Sequence, residues 1–438
     1  MSLVWALAIE SLSWIELMRL NEDAAIRKTV KQLRIDVEET VDTARELVYE
    51  TVRRLNVIDF LIEEALEPES LEELKIGLRS YLRLYTYLVH FSDGSLLRAN
   101  ALVEQANQLF GNRDLKKVRQ LPDLIPLMSI PYHEMTDTQR LAYKYFHPTW
   151  YASYLYNQFG ETMTEHLLKP IEYPNYIRVN TLKVDSKIDQ LYDQGFQLVT
   201  EPLLPNTYRL IDDAGVTKTK AYREGFFIRQ DKASILVGEV AAPKPDETIL
   251  DVCAAPGIKT SHMAQKMGNT GRIISVDYDE RRLKSWRTLM DRLGVKNAES
   301  VLADATKPYR LPDIEADMVV VDPPCTGTGL LHKSPSSKWR LTPRSIDNMA
   351  RLQKKILWNS AAHLRDGGAL VYSTCSITVE ENEGAINSLL ERVPEFKLVE
   401  SSPRIGDPGL NGMDEAQRLY PHKHACNGFF IAKLVKHI

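Results

Sequence analysis

The sequence predicts three successive parts: an all-α region, a small α+β unit, and a doubly wound α/β domain with a mostly parallel sheet. Three observations predict this order. Apolar residues recur at helical spacing from about Ser13 to Phe110. Prolines at 122, 126 and 131 then punctuate the chain, and alternating segments follow. From about Pro245, short apolar runs alternate with amphipathic stretches, the pattern of strands buried on both faces by helices. The expected boundaries are 1–140, 141–225 and 226–438.

The first part reads as helix after helix. Leu3 to Ile9 is apolar, lacks a preceding basic residue, and is followed by Glu10 and Glu16; it is read as a helix start rather than a signal peptide. Val41, Ala44, Val48, Val52 and Leu55 form one amphipathic stripe. After Pro68, Ser70 and Glu73 suggest a capped helix start. SYLRLYTYLVHF is apolar enough for a buried helix, and SLLRANALVEQANQLFG closes at Gly111. Ordinary core packing accounts for these stripes.

In the second part YIRVNTLKV alternates like a strand, DSKIDQLYDQGF suggests a short helix, and TYRLI and GFFIRQ suggest further strands. The third part supplies five strands: ETILDVCA, GRIISVDYD, AESVLADAT, ADMVVVDPP and GALVYSTCS. Helical stretches such as SHMAQKM, RRLKSWRTLMDRLG and MARLQKKILWNSAAHL separate them.

Composition excludes several classes. An apolar share of 44% and a charged share of 26% are those of a globular protein. No apolar run is long enough for a transmembrane helix, so no membrane partner is expected. A net charge of −4 means that nucleic acid would have to bind a local basic surface, not the chain as a whole. The four cysteines, at 253, 325, 375 and 426, show no CxxC spacing, so neither a zinc site nor any other metal is expected. Nothing indicates secretion, so a cytoplasmic location is expected. No coiled-coil pattern appears, so a monomer is expected.

Three constellations carry chemistry. In a parallel sheet, ligands bind beyond the carboxyl ends of the strands. DVCAAPGIKT places small residues there, followed by a helix N-terminus; Asp277 ends the second strand and Asp304 the third. Singly, either acid could cap a helix; the series suits an adenosine-containing cofactor. The phosphate-loop spacing is absent. Next comes DPPCTGTG, residues 322–329, a stiff acidic turn able to hold a flat base at Asp322, or simply a structural turn. Last is YSTCS, residues 372–376. An isolated cysteine is usually a small buried hydrophobe. Two at the ends of two strands of one sheet can share a pocket, if those strands are near neighbours.

Together these motifs closely resemble the Nop/Sun (Fmu) family of RNA cytosine-5 methyltransferases. IRVNTLK (177–183), IRQDKAS (228–234), DVCAAPGIKT (251–260), DPPCTGTG (322–329), YSTCSITVEENE (372–383) and GFFIAKL (428–434) follow the family pattern in family order. Ile258 departs from it where many relatives have glycine. The resemblance implies a Rossmann-like methyltransferase domain using S-adenosyl-L-methionine. Cys375 would be the nucleophile at carbon 6 of cytosine, and Cys325 would assist release of the methylated product. Asp322 would contact the base and polarise its ring. Ala254, Ala255, Pro256, Gly257, Ile258, Lys259 and Thr260, with Asp277, Arg282, Asp304 and Asp322, would surround the cofactor. Arg178 and Asn180 would face RNA from the small unit. RSYLRLYTYLV and LLRANALVEQANQLFG resemble a NusB-type helical domain, implying RNA docking or a structural role.

The chemistry needs a thiolate, because carbon 5 of cytosine is a poor nucleophile until carbon 6 has been attacked. A DNA cytosine methyltransferase would be expected to carry its nucleophile in a proline-cysteine motif and to lack YSTCS. An amino-group methyltransferase would have an aromatic residue where Cys325 stands. A non-catalytic RNA-binding or assembly factor is the reading from another class. The expected substrate is ribosomal RNA, with transfer RNA next.

Overall fold

The computed structural model describes residues 2–92, 95–183, 195–212 and 215–437. The chain divides into two compact units, Met1–Pro170 with Leu331–Leu341, and Ile171–Leu330 with Thr342–Ile438.

The first unit is helical. Its main helices are Ser2–Met18, Glu22–Leu33, Glu38–Arg53, Leu55–Leu66, Ile76–Phe91, Ser95–Leu109, Asp137–Lys144 and Thr149–Leu168. The opening apolar stretch is buried, with Trp5, Leu7, Ala8 and Leu12 in the core. Of the anticipated stripe, Ala44, Val48 and Val52 are buried, while Val41 and Leu55 pack at the core's edge. Ser70 does cap, accepting from the Glu72 amide, but it opens one 3-10 turn, and the next α-helix starts at Ile76. Helix Asp137–Lys144 carries a capping box between Thr136 and Gln139. Arg83 joins two acids inside the unit, with Nε 2.7 Å from Asp59 and Nη1 2.6 Å from Glu16.

The unit also holds the returning segment Leu331–Leu341. The buried Glu22 carboxylate accepts from the Ser336 amide at 2.5 Å, and Trp339 Nε1 donates to the Val52 carbonyl at 2.6 Å. The expected boundary at 140 is therefore corrected: the helices to Pro170 and this later segment pack with the helical part.

The second unit holds two sheets. The smaller comprises β1 (Asn175–Val179), β2 (Leu198–Thr200), β3 (Thr207–Leu210) and β4 (Phe227–Arg229), in the order β2-β3-β1-β4 with antiparallel pairings. A boundary at 225 would cut this sheet between β3 and β4. The anticipated helix at DSKIDQLYDQGF falls almost wholly outside the described residues.

The larger sheet has nine strands: β5 (Thr248–Val252), β6 (Arg272–Asp277), β7 (Ala298–Leu302), β8 (Ala316–Val321), β9 (Leu364–Thr374), β10 (Phe396–Val399), β11 (Asp407–Pro408), β12 (Gln417–Leu419) and β13 (Phe429–Lys436). Its parallel part runs β7-β6-β5-β8-β9, and β13 adds antiparallel to β9. Alternate residues enter different cores: Leu250 and Val252 pack with Ile356 and Leu357, whereas Ile249 packs with Ile235 and Leu236. Burial on both faces explains the near-continuous apolar runs. The strand order reverses between β5 and β8, and the crevice at such a switch point is where ligands bind.

Candidate active site

Parallel pairing sends the loops after β8 and β9 out of the same sheet edge, because Val321 lies beside Tyr372. Cys325 and Cys375 sit four residues and one residue beyond the ends of these neighbouring strands. Their sulfurs are 2.8 Å apart, both thiols are free, and both residues are partly exposed. The approach is enforced by glycine. The Gly329 amide donates to the Cys375 carbonyl at 2.9 Å. A Cβ at Gly329 would stand 2.0 Å from the Gly428 oxygen and 2.8 Å from that of Cys375. No side chain fits there, so the second glycine of TGTG is a requirement of the loop contact.

A buried carboxylate ties the two loops together. Glu381 is fully buried and accepts from the Thr326 amide (2.8 Å), Ser376 Oγ (2.7 Å), Thr378 Oγ1 (2.9 Å) and Gln353 Nε2 (2.8 Å), as well as from the Thr326 hydroxyl. Five donors offset the desolvation of the charge. Asn382 adds a bond from its Nδ2 to the Ser376 carbonyl at 2.9 Å. Glu383 forms a buried ion pair with Arg418, 2.6 Å from Oε1 to Nε, and Arg418 also donates to the Ile377 carbonyl at 2.8 Å. The Cys325 thiol is pushed well above its ordinary range, first by its hydrogen bond with Cys375, then by burial and the negative charges nearby. That sulfur keeps its proton.

Asp322 sits at the head of the first loop. Its Oδ2 is 2.6 Å from Lys259 Nζ, and its Oδ1 accepts from Ser373 Oγ at 3.0 Å. Lys259 is the second residue of the helix that directly follows the small-residue turn after β5, so this ion pair ties the end of that turn to the thiol loop. In that turn Gly257 has φ +102°, and a Cβ there would meet Trp286 and Met290 at 2.7 Å. Ala254 and Ala255 are buried, and the helix Ile258–Lys266 begins directly after Gly257. Ile258 is thus the first helical residue, where a side chain is tolerated.

Asp277 ends β6 with its carboxylate buried. It accepts from the Ala255 amide at 3.2 Å and pairs with Arg282 at 3.1 Å, and Arg282 also donates to the Ala255 carbonyl. Arg282 therefore brackets the turn and is not a merely solvated charge. Asp304 lies two residues beyond β7 and accepts from the Thr306 amide (3.0 Å) and hydroxyl (2.6 Å), which hold its carboxyl below the usual range. Part of its hydrogen-bonding capacity is used in its own turn.

Carboxylates beyond β6, β7 and β8, with Lys259 between, are the donor set an adenosine carrying an amino-acid end requires: acceptors for ribose hydroxyls and an amine, and opposite charges for a zwitterion. The residues fit S-adenosylmethionine on that ground.

Several expected positions serve architecture. Thr260 is fully buried, donating to Asp251 at 2.5 Å and accepting from Trp286 Nε1 at 3.1 Å. Burial raises the Asp251 carboxyl to about 7. Cys253, inside the first motif, is pushed up by burial and then by Asp277 and Asp322, so it stays a thiol. Arg178 and Asn180 require a correction. Arg178 is 1% exposed, and its guanidinium donates to Gln230 (2.9 Å), Ser261 (2.9 Å) and Gln265. Asn180 is 3% exposed and donates to the carbonyls of Gly225 (2.9 Å) and Leu293 (2.8 Å). Both fasten the small sheet to the α/β core and present no group to RNA.

The sequence reading gave no roles to Glu381, Asn382, Glu383, Gln353 or Arg418. The acids stand in the quoted YSTCSITVEENE run, where charges ordinarily signal a solvated turn; Gln353 and Arg418 carry no local signal.

Comparison with known proteins agrees with this geometry. The family described as 16S rRNA methyltransferase RsmB/F matches residues 239–435, and the NusB family matches residues 6–117. A Synechocystis protein named "Probable ribosomal RNA small subunit methyltransferase B" is 31% identical over 408 residues, covering 89% of this chain and 90% of its own. A tRNA (cytosine(72)-C(5))-methyltransferase of Pyrococcus horikoshii is 43% identical over 223 residues, 50% of this chain; the match spans 55% of that protein's length. The crystal structure of PH0851 superposes with a TM-score of 0.81 at 30% identity, covering 100% of this chain and 99% of that one. Fold and site define an S-adenosylmethionine-dependent methyltransferase acting on RNA. More narrowly, the chain belongs to the Nop/Sun (RsmB/F) family of RNA cytosine-C5 methyltransferases, here joined to a NusB-type helical domain.

Proposed function

We propose that this chain methylates carbon 5 of a cytosine in small-subunit ribosomal RNA, through a covalent bond between Cys375 and carbon 6, with Cys325 aiding release. The observation that carries this reading is the pair of free sulfurs 2.8 Å apart at the ends of two adjacent parallel strands. Cys375 as thiolate adds to carbon 6, and the ring's electron pair becomes available at carbon 5. Asp322, already held by Lys259 and Ser373, accepts from the exocyclic amine and fixes the ring edge. The bound cofactor supplies an electrophilic methyl group. Solvent water at this partly exposed edge takes the carbon-5 proton, and the electron pair of that carbon–hydrogen bond re-forms the ring double bond and expels the Cys375 thiolate, with the Cys325 thiol beside the breaking bond as a proton donor to it. The target base must be unpaired or flipped to enter.

The choice of ribosomal RNA rests on the span of the likeness. The relative named for the small ribosomal subunit aligns through the helical unit, whereas the transfer-RNA enzyme aligns over half of this chain. The test is methyl transfer from labelled S-adenosylmethionine to isolated small-subunit RNA and to transfer RNA, each digested to nucleosides. Labelled 5-methylcytosine in the small-subunit RNA is expected. Label confined to transfer RNA would overturn the target, and label on any other nucleoside would overturn the chemistry.

A further inference from the structure

Cys325 and Cys375 hold their sulfurs 2.8 Å apart with no bond between them. A disulfide needs about 2.05 Å, so closing one takes a shift of about 0.8 Å and no rearrangement of the fold. We infer that the pair is a redox switch: a peroxide links Cys375 to Cys325, which shuts off methyl transfer and spares Cys375 from irreversible oxidation, and a dithiol reopens it. This rests on the two-thiol reading of the site and adds its regulation.

The two loops are locked side by side before any bond forms. Thr326 stands next to Cys325 and Ser376 next to Cys375, and both donate to Glu381, the Thr326 amide at 2.8 Å and Ser376 Oγ at 2.7 Å. The Gly329 amide bonds the Cys375 carbonyl at 2.9 Å, and the Gly428 amide bonds the Gly329 carbonyl at 3.0 Å. Thiols held this way meet at a high effective concentration, so the second captures an oxidised first before another peroxide arrives. Exposure and protonation set the order of events. Both residues are partly exposed at the sheet's edge, open to a small oxidant. Cys426 is fully buried, and Cys253 is kept a thiol by burial and then by Asp277 and Asp322. Peroxide reacts with a thiolate, not a thiol. Cys375 is the sulfur that the proposed methylation uses as thiolate, and Cys325 keeps its proton.

The Cys375 thiolate attacks one oxygen of hydrogen peroxide. The oxygen–oxygen bond breaks, Cys375 becomes a sulfenic acid, and hydroxide leaves. The Cys325 sulfur then bonds to the Cys375 sulfur as the sulfur–oxygen bond breaks, and the departing hydroxide takes the Cys325 proton to become water. The two sulfurs have lost two electrons and the peroxide has gained them. Exchange with a dithiol reduces the disulfide and returns both thiols. The linked pair has no thiolate for carbon 6 and no thiol for release. The ion pairs Lys259–Asp322 and Arg282–Asp277 involve neither sulfur, so the cofactor side of the site is left as it was.

The test treats the full chain, reduced and then freed of reductant, with hydrogen peroxide. The wild type should stop methylating, lose about 2 Da for the two hydrogens removed, and yield on digestion a cross-linked peptide pair through Cys325 and Cys375. Dithiothreitol should restore both mass and rate. Calorimetry on the oxidised chain should show unchanged affinity for S-adenosylmethionine. In Cys325→Ser, which lacks the capturing sulfur, the same treatment should carry Cys375 on to the sulfinic acid, a gain of about 32 Da that dithiothreitol does not reverse. A wild type whose Cys375 reaches the sulfinic acid while Cys325 stays free would overturn the switch. So would a cross-link through Cys253, or inactivation with all four thiols intact. Lost cofactor affinity with an early melt would assign the inactivation to unfolding, and overturn it as well. The nucleophile reading fails separately, because mass and peptide mapping detect the bond without turnover: Cys375→Ala that still methylates sinks that reading, whereas a cross-linked wild type that methylates at full rate sinks the switch.

Discussion

The end of β1 and the loops following β8 and β9 draw on similar polar residues, yet they do opposite things with them. Arg178 and Asn180 are buried and bonded to groups inside the fold. Cys325, Cys375 and Asp322 remain partly exposed at the edge of the sheet's switch-point crevice. A motif residue whose hydrogen bonds close internally is architecture; one whose reactive atom stays open at a strand end is chemistry. Around the thiols the division is sharper still, because the buried Glu381, Asn382 and Glu383 bond to the loops that present Cys325 and Cys375.

The largest expected effect is at Cys375. Cys375→Ala should lower methyl transfer by about a thousandfold or more, since covalent activation of the ring is lost. Calorimetry should show cofactor binding unaltered. Appreciable turnover would place Cys375 on the architectural side.

Arg178→Ala comes next. It leaves Gln230, Gln265 and Ser261 without their buried partner, at a cost of about 3 kcal/mol. The variant should melt early, while the fraction that remains folded binds RNA with wild-type affinity. Weakened RNA binding at unchanged melting temperature would restore Arg178 to an RNA-facing role.

Glu381→Gln keeps the shape but loses the charge that five donors face, and it turns one oxygen into a donor. A loss of about 2 kcal/mol in stability is expected. The rate of methyl transfer should fall more than the RNA affinity, because the thiols are displaced relative to each other. A variant with wild-type rate would show that the loops hold their separation without it.

The remaining effect is read as a pH slope, not as a loss on substitution. Asp251 is raised in the folded chain to about 7 from an ordinary 3.8. The folded state therefore binds the proton that the unfolded state releases, and stability falls as pH rises between those values, by up to about 1.4 kcal/mol per pH unit. Asp251→Asn should flatten that slope in denaturant titrations across the window. An unchanged slope would mean that the carboxyl is ionised in the fold.

Much of this was legible in the sequence because periodicity and motif order are local. The helical stretch, the five parallel strands and the residues at their ends all lie in contiguous segments, and the neighbouring of β8 and β9 stood as a condition that the sheet meets. Pairings across long separations were not legible. Lys259 meets Asp322 from 63 positions away, and Arg418 meets Glu383 from 35. The boundary at 140 missed the return of Leu331–Leu341, because an 11-residue excursion leaves no compositional mark; the contacts of Ser336 with Glu22 and of Trp339 with Val52 reveal it. The RNA-facing role expected of Arg178 and Asn180 came from the resemblance alone, and their buried partners at Gln230, Ser261, Gly225 and Leu293 leave no local mark in the sequence.

The central claim is that Cys375 bonds the base and Cys325 lets it go. Cys325→Ala, incubated with S-adenosylmethionine and small-subunit RNA and run on a denaturing gel, tests it most directly. The account predicts a protein–RNA band that survives denaturation and disappears in the Cys325→Ala, Cys375→Ala double variant. If Cys325→Ala turns over freely with no such band, or if the band persists without Cys375, the assignment of the two thiols is wrong.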